Sequence, residues 1–314
     1  MEQEAYTHLS QKELTERIRT AKREKNAVLL VHNYQKLEIQ ELGDFLGDSL
    51  GLSQEAAKTE ADLIEFCGVD FMAESAKILN PNKTVLIPER EARCPMAAMI
   101  TPEGLRKMKG EHPDAVVVCY VNTSAAIKAE SDICCTSSNA VQVVQSLGER
   151  DIIFVPDKNL ASYVSRMTGA NIIPWDGYCY VHNDFTVRDV KEARGKYPRA
   201  MLVVHPECPP DVIDEADWVA STSGMVKYVE QHREEIRGSG VIIGTEIGLV
   251  QQLQKKHADL DIIPLSDWAI CTQMKLTNLA KVAWSMENGQ YEIHMPEKIM
   301  ERARLSLQKM LEIT

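Results

Sequence analysis

Apolar and polar positions in this chain fall into blocks, and the blocks repeat. Three runs rich in β-branched residues, AVLLVHNY (27–34), AVVVCYVN (115–122) and AMLVVHPE (200–207), each end in polar residues. A continuous apolar run of this kind suits a strand covered on both faces, as in a parallel sheet. A second short strand pattern follows each, DFLGDS (44–49), DICCTS (132–137) and DWVAST (217–222), and then a helical pattern, LGLSQEAAKTE, SNAVQVVQSL or SGMVKYVEQH. Third strands DLIEFCG, DIIFVPD and VIIGTEI lead into helices FMAESAKIL, NLASYVSRM and GLVQQLQKK. Fourth strands TVLIPE (84–89), NIIPW (171–175) and DIIPL (261–265) close each unit. Strand–helix alternation with short connections, met three times, predicts an α/β protein of three small parallel α/β/α layers. Their limits are 1–95 with 280–314, 96–180, and 181–279. The N-terminal helix (9–25) and the C-terminal helix (296–311) are expected to pack together on the first layer.

The repeat aligns chemistry as well as elements. Ser49 follows His32 by 17 residues, Ser137 follows Tyr120 by 17, and Thr222 follows His205 by 17. The interval runs from the end of strand one to the end of strand two, where ligands of parallel sheets bind. Each first strand ends in a polar pair spaced i, i+2: His32 and Tyr34, Tyr120 and Asn122, His205 and Glu207. If the strand continues, both members of a pair share a face, and such residues are costly to bury without a role. Ser49, Ser137 and Thr222 also suit plain helix N-caps.

Composition narrows the function. The net charge of -11 over 314 residues argues against nucleic acid as a bulk partner. No apolar run reaches membrane-spanning length, and the charged N-terminus lacks an apolar signal core, so no membrane association and a cytoplasmic, reducing location are expected. Eight cysteines are then poor candidates for disulfides, and no CxxC motif is present. Cys67, Cys119, Cys134, Cys135 and Cys208 lie in or beside apolar strands and read as core fillers. Cys94, Cys179 and Cys271 lie in loops, one beyond each fourth strand. Three loops converging on a threefold axis can hold three irons of a [4Fe–4S] cluster and leave the fourth without a protein ligand; three unrelated loop cysteines remain the alternative.

Several collinear segments carry a resemblance: HNYQ (32–35), GDSL (47–50), GVDFMAE (68–74), KILNP (77–81), CPMA (94–97), YVNTSA (120–125), CTSSNAV (135–141), VPDKNL (155–160), HPECP (205–209), STSGM (221–225), GTEIG (244–248) and MKLTNL (274–279). With these the sequence closely resembles the quinolinate synthase family of de novo NAD biosynthesis over nearly its whole length. The resemblance implies three Rossmann-like layers in pseudo-threefold arrangement around a central active site. It implies condensation of iminoaspartate (iminosuccinate) with dihydroxyacetone phosphate to quinolinate, with loss of phosphate and two waters. It also implies a [4Fe–4S] cluster on Cys94, Cys179 and Cys271, whose open iron acts as a Lewis acid, and an aspartate oxidase as the possible source of iminoaspartate. Some members carry a CxxCxxC run at the last ligand; here Cys271 stands alone in AICTQMK.

Within that resemblance His32, Ser49, Tyr120, Asn122, Ser137, His205, Glu207 and Thr222 are expected to bind substrate. Glu207 is expected to be the general base, with a pKa raised by burial. Tyr34 and Tyr120 would orient intermediates and relay protons, and His32 and His205 would bind oxygens and shuttle protons. His182 is expected beside a cluster ligand, whereas His8, His112, His232 and His257 read as solvated surface. The loops 91–104 and 175–184 read as lids. An aconitase-like hydro-lyase would share the open iron without needing a triose phosphate; a non-catalytic iron–sulfur sensor would need a nucleic-acid or protein-binding surface.

Overall fold

A computed structural model describes residues 3–313. Twelve strands form three four-stranded parallel sheets. The first holds β1 (Ala27–His32), β2 (Phe45–Gly47), β3 (Leu63–Cys67) and β4 (Thr84–Leu86). The second holds β5 (Val116–Tyr120), β6 (Ile133–Cys135), β7 (Ile152–Val155) and β8 (Ile172–Pro174). The third holds β9 (Met201–Val204), β10 (Trp218–Val219), β11 (Val241–Gly244) and β12 (Ile262–Pro264). Strand order is the same in each, β2-β1-β3-β4, β6-β5-β7-β8 and β10-β9-β11-β12. These are the three Rossmann-like layers the pattern predicts. In this order the strand sequence runs outward in opposite directions from the first and third strands of a unit, which opens a crevice at their carboxyl ends.

The register explains the recurring interval. Leu30 pairs with Phe45, Val118 with Ile133, and Val203 with Trp218, an offset of 15 each time. One aspartate sets it in every layer. Asp44 Oδ2 accepts the Leu29 amide at 2.8 Å, Asp132 Oδ2 the Val117 amide at 2.8 Å, and Asp217 Oδ2 the Leu202 amide at 2.7 Å. Between the first and second strands the sequence pattern missed a short helix in each unit: Leu37–Gln40, Ala125–Glu130 and Pro210–Asp214. These are too short to show helical periodicity.

The two terminal helices do not pack together. The helix Gln11–Glu24 buries Leu14 and Ile18 against the helix Leu279–Asn288 and β1, and Arg17 holds Glu287 at 2.5 Å. The helix Glu297–Leu311 instead covers β6 and the helices Ala125–Glu130 and Asp70–Leu79. Its Ala303, Leu307 and Met310 enter a core shared by the first two sheets. The third sheet has separate cores on its two faces. No described helix is long and apolar enough to cross a membrane.

One fully buried carboxyl sits within a strand of the first sheet. Glu65, in the middle of β3 between Leu29 and Leu86, is fully buried and accepts Ser285 Oγ at 2.8 Å. Burial pushes its pKa well above the ordinary 4.5, so the neutral form is the folded one. Its contribution to stability is complete below pH 4.5 and is lost as pH rises toward the folded pKa. Glu65→Gln cannot ionise. Its stability relative to wild type, followed by thermal melts of the metal-free chain, is expected to grow above pH 5 by up to about 1.4 kcal/mol per pH unit. A difference that stays constant from pH 5 to 8 would contradict a raised Glu65.

Candidate active site and metal centre

The carboxyl ends of the three sheets face one another across a small cavity of about 70 Å³. It gathers all twelve residues singled out in the sequence: His32, Tyr34, Ser49, Cys94, Tyr120, Asn122, Ser137, Cys179, His205, Glu207, Thr222 and Cys271.

The paired polar residues reach the cavity by a turn, not by continuation of the strand. β1 ends at His32, β5 at Tyr120 and β9 one residue before His205. The backbone then folds so that His32 Nδ1 accepts the Tyr34 amide at 3.1 Å and His205 Nδ1 accepts the Glu207 amide at 3.3 Å. The His32 ring is therefore neutral with the proton on Nε2, while His205 Nδ1 also lies 3.3 Å from Glu207 Oε2. Burial supports the neutral state, drawing His32 down to about 4 and lowering His205 as well. Tyr34 and Tyr120 stay protonated, because burial and the nearby Glu207 charge raise both phenols.

Glu207 behaves differently from the expectation. Burial works to raise its pKa, but His182 and His205 outweigh burial and hold the carboxyl well below the usual carboxylate range. His182 Nδ1 lies 2.7 Å from Glu207 Oε2. With Nδ1–H donating there, His182 Nε2 is an acceptor and takes the Thr245 hydroxyl at 2.9 Å. Thr245 in turn accepts Tyr34 Oη at 2.7 Å. A continuous hydrogen-bonded path thus joins Tyr34, Thr245, His182 and Glu207. Thr245 lies in the GTEIG segment, but because it extends an apolar strand nothing marked it as a site residue. Glu207 Oε1 and Asn122 Oδ1 are buried without a hydrogen-bond partner in the protein.

The hydroxyl positions are not the caps. Asp48 caps the helix Ser49–Lys58 and Ser221 caps Thr222–Gln231, while the helix Ala140–Ser146 starts beyond Asn139. Ser49 and Thr222 are first helical residues, and Ser137 precedes its helix. The caps tie the layers to one another instead: Ser138 donates to Asp48 Oδ2 at 2.7 Å and accepts from Ser221 at 2.8 Å.

Cys94, Cys179 and Cys271 arrive on loops from the three fourth strands. Burial raises all three thiols, and mutual charge adds to the effect at Cys94 and Cys179; metal loading would release their protons. Donor atoms of Cys179, His182 and Glu207 lie within 4.8 Å of one another. The sulfurs of Cys94 and Cys271 stand outside that compact set. Ligands of a single tetrahedral ion crowd within about 4 Å of each other, given metal–sulfur bonds of about 2.3 Å. Three thiols brought from three layers to one cavity are a donor set that suits an iron–sulfur centre. His182 lies beside Cys179, with Nδ1 3.3 Å from Sγ. The five strand cysteines are all buried in the core. His257, expected at the surface, is buried and meets Arg233 at 2.7 Å; the charged stretch around it folds over the ring. The loops 91–104 and 175–184 clasp each other, with Trp175 Nε1 donating to the Met99 carbonyl at 3.0 Å.

Comparison with known proteins gives a consistent answer. The family model described as quinolinate synthetase A protein matches residues 16–312. A quinolinate synthase of Methanoregula boonei is 52% identical over 300 residues, covering 96% of this chain and 98% of the relative. One of Methanosarcina barkeri is 50% identical over 305 residues, covering 97% and 99%. One of Alkaliphilus metalliredigens is 47% identical over 306 residues, covering 97% and 100%.

Proposed function

The chain belongs to the quinolinate synthase family, and we propose that it condenses iminoaspartate with dihydroxyacetone phosphate to quinolinate, releasing phosphate and two waters, with a [4Fe–4S] cluster held by Cys94, Cys179 and Cys271. The observation that carries this reading is the meeting of three loop cysteines, one per layer, in the same cavity as the Tyr34–Thr245–His182–Glu207 path. When bound, such a cluster offers one iron without a protein ligand as a Lewis acid toward a substrate oxygen.

The chain's own groups divide the remaining work. Substrate carboxylates and phosphate carry negative charge, and the N-termini of the helices Ser49–Lys58 and Thr222–Gln231 offer amides and a positive dipole end to them. Ser49, Ser137 and Thr222, free of capping, add hydroxyl donors. His32 donates from Nε2 to a substrate oxygen, His205 presents its Nε2 to another polar group, and the Asn122 amide holds a third. Glu207 is ionised at neutral pH and takes a proton at Oε1, its unpartnered oxygen. Tyr34 remains protonated and, through Thr245, fixes the His182 tautomer that donates Nδ1–H to Glu207. Tyr120 remains protonated and orients the intermediate. The condensing carbons are thereby held in a largely closed space from which bulk water is excluded. An aspartate oxidase is the proposed source of iminoaspartate.

The test is anaerobic purification with iron and sulfide analysis beside an assay for quinolinate from the two substrates. Four irons and quinolinate formation are expected. A single bound ion, or dehydration of a hydroxy acid without triose phosphate, would overturn the reading. Thr245→Val keeps the shape of the side chain and breaks the path. It is expected to lower kcat about 10- to 100-fold with KM and iron content unchanged; unchanged kcat would remove Thr245 from the mechanism.

A further inference from the structure

Each cysteine loop is clamped in the same way, by residues outside the ligand set. At the carboxyl end of β3, β7 and β11 a helix begins with an acidic residue: Asp70, Asp157 and Glu246. Asp70 Oδ1 accepts the Cys94 amide at 3.2 Å, Asp157 Oδ2 accepts the Cys179 amide at 3.2 Å, and Glu246 Oε1 accepts the Cys271 amide at 3.1 Å. A second bond closes each clamp. The amide of Asp70 donates to the Ala92 carbonyl at 2.9 Å, that of Lys158 to Gly177 at 2.8 Å, and that of Ile247 to Ala269 at 2.8 Å. Each of these carbonyls lies two residues before its cysteine. Asp157 and Glu246 are fully buried.

We propose that Asp70, Asp157 and Glu246 are positioning residues that fix the three cysteine backbones so that the thiols converge at the spacing a cluster requires. The inference rests on the cluster reading above and deepens it. A loop cysteine held only by its ends would have to be ordered by the metal itself. A cysteine pinned at its own amide and two residues earlier is ordered beforehand, which lowers the entropic cost of loading. The three carboxylates each bond their own cysteine's amide. They act through the amide, as the partners behind metal ligands do elsewhere.

Asp70 gives the clearest test, because Oδ1 alone takes both the Cys94 amide and the Phe71 amide. Asn can supply that single acceptor oxygen, and Ala cannot. Wild type, Asp70→Asn and Asp70→Ala would be reconstituted anaerobically. Iron and labile sulfide per chain, the spectroscopic signature of the cluster and the rate of iron release to a chelator would be read, with circular dichroism and melting of the metal-free chains as the fold control. Asp70→Ala is expected to release iron about 10- to 100-fold faster than wild type, and Asp70→Asn at a rate close to wild type. If the alanine chain does not fold, Asp70→Ser, which keeps a polar helix start on a shorter side chain, takes its place with the same expectation. Asp70→Ala matching wild type overturns the proposal, as does Asp70→Asn losing iron as fast as Asp70→Ala. A wild-type chain that takes up no iron overturns the cluster reading itself and is thereby told apart from failure of the clamp.

Discussion

Serine substituted singly for Cys94, Cys179 or Cys271 is expected to strip the chain of iron and to cut quinolinate formation by more than about a hundredfold. Loss of a partner behind a metal ligand already costs about 10- to 100-fold, and here a ligand itself is lost. A serine hydroxyl is a harder, less acidic donor than a thiol and a poor substitute on iron–sulfur centres. Each of the three cysteines is the sole cysteine its layer sends into the cavity, so no neighbour can replace it. Cys67→Ser and Cys208→Ser are the comparison. Both side chains are fully buried in apolar cores, so a hydroxyl there is expected to lower stability by about 1–3 kcal/mol and to leave iron per folded chain unchanged. Iron and sulfide analysis with thermal melts separates the two classes. A Cys67→Ser chain as poor in iron as Cys94→Ser would sink the ligand assignment.

Glu207→Gln should reduce kcat by about 10²- to 10⁴-fold, the range for loss of a positioned acid–base group, with iron content retained. Gln is nearly isosteric and still accepts from His182 Nδ1, but it cannot take up a proton. Stability should report the same carboxylate independently of activity. The folded pKa of Glu207 is depressed from its ordinary 4.5. Its stabilising contribution is therefore present above pH 4.5 and lost as pH falls below it toward the folded value. The variant is expected to melt below wild type at pH 7, with the gap narrowing under acid conditions. A gap that widened on acidification would mean that the folded protein holds Glu207 neutral. Full activity in Glu207→Gln would assign proton transfer elsewhere.

Much of this was legible in the sequence, and the reasons are physical. Both faces of each β1-type strand are covered, so long apolar runs marked them. The loop cysteines stood out because they alone left apolar surroundings. Other features left weaker traces. Asp70, Asp157 and Glu246 look like ordinary acidic helix starts, and only the bonds to Cys94, Cys179 and Cys271 distinguish them, although their equivalent places in three repeats were visible. Thr245 is indistinguishable from a strand residue until Tyr34 and His182 close on it. The amphipathic pattern of 296–311 gives a buried stripe but does not say which layer it covers. The direction of the Glu207 shift depended on His182, 25 residues away in sequence, and burial alone pointed the other way.

The turns after β1, β5 and β9 carry one further consequence. The scaffold repeats itself closely enough to keep register, yet it presents a phenol at Tyr34, an amide at Asn122 and a carboxylate at Glu207. Three frames of one topology are thus keyed by three unlike teeth. An unsymmetrical ligand therefore meets a different group at each of the three turns, so the cavity tells its orientations apart.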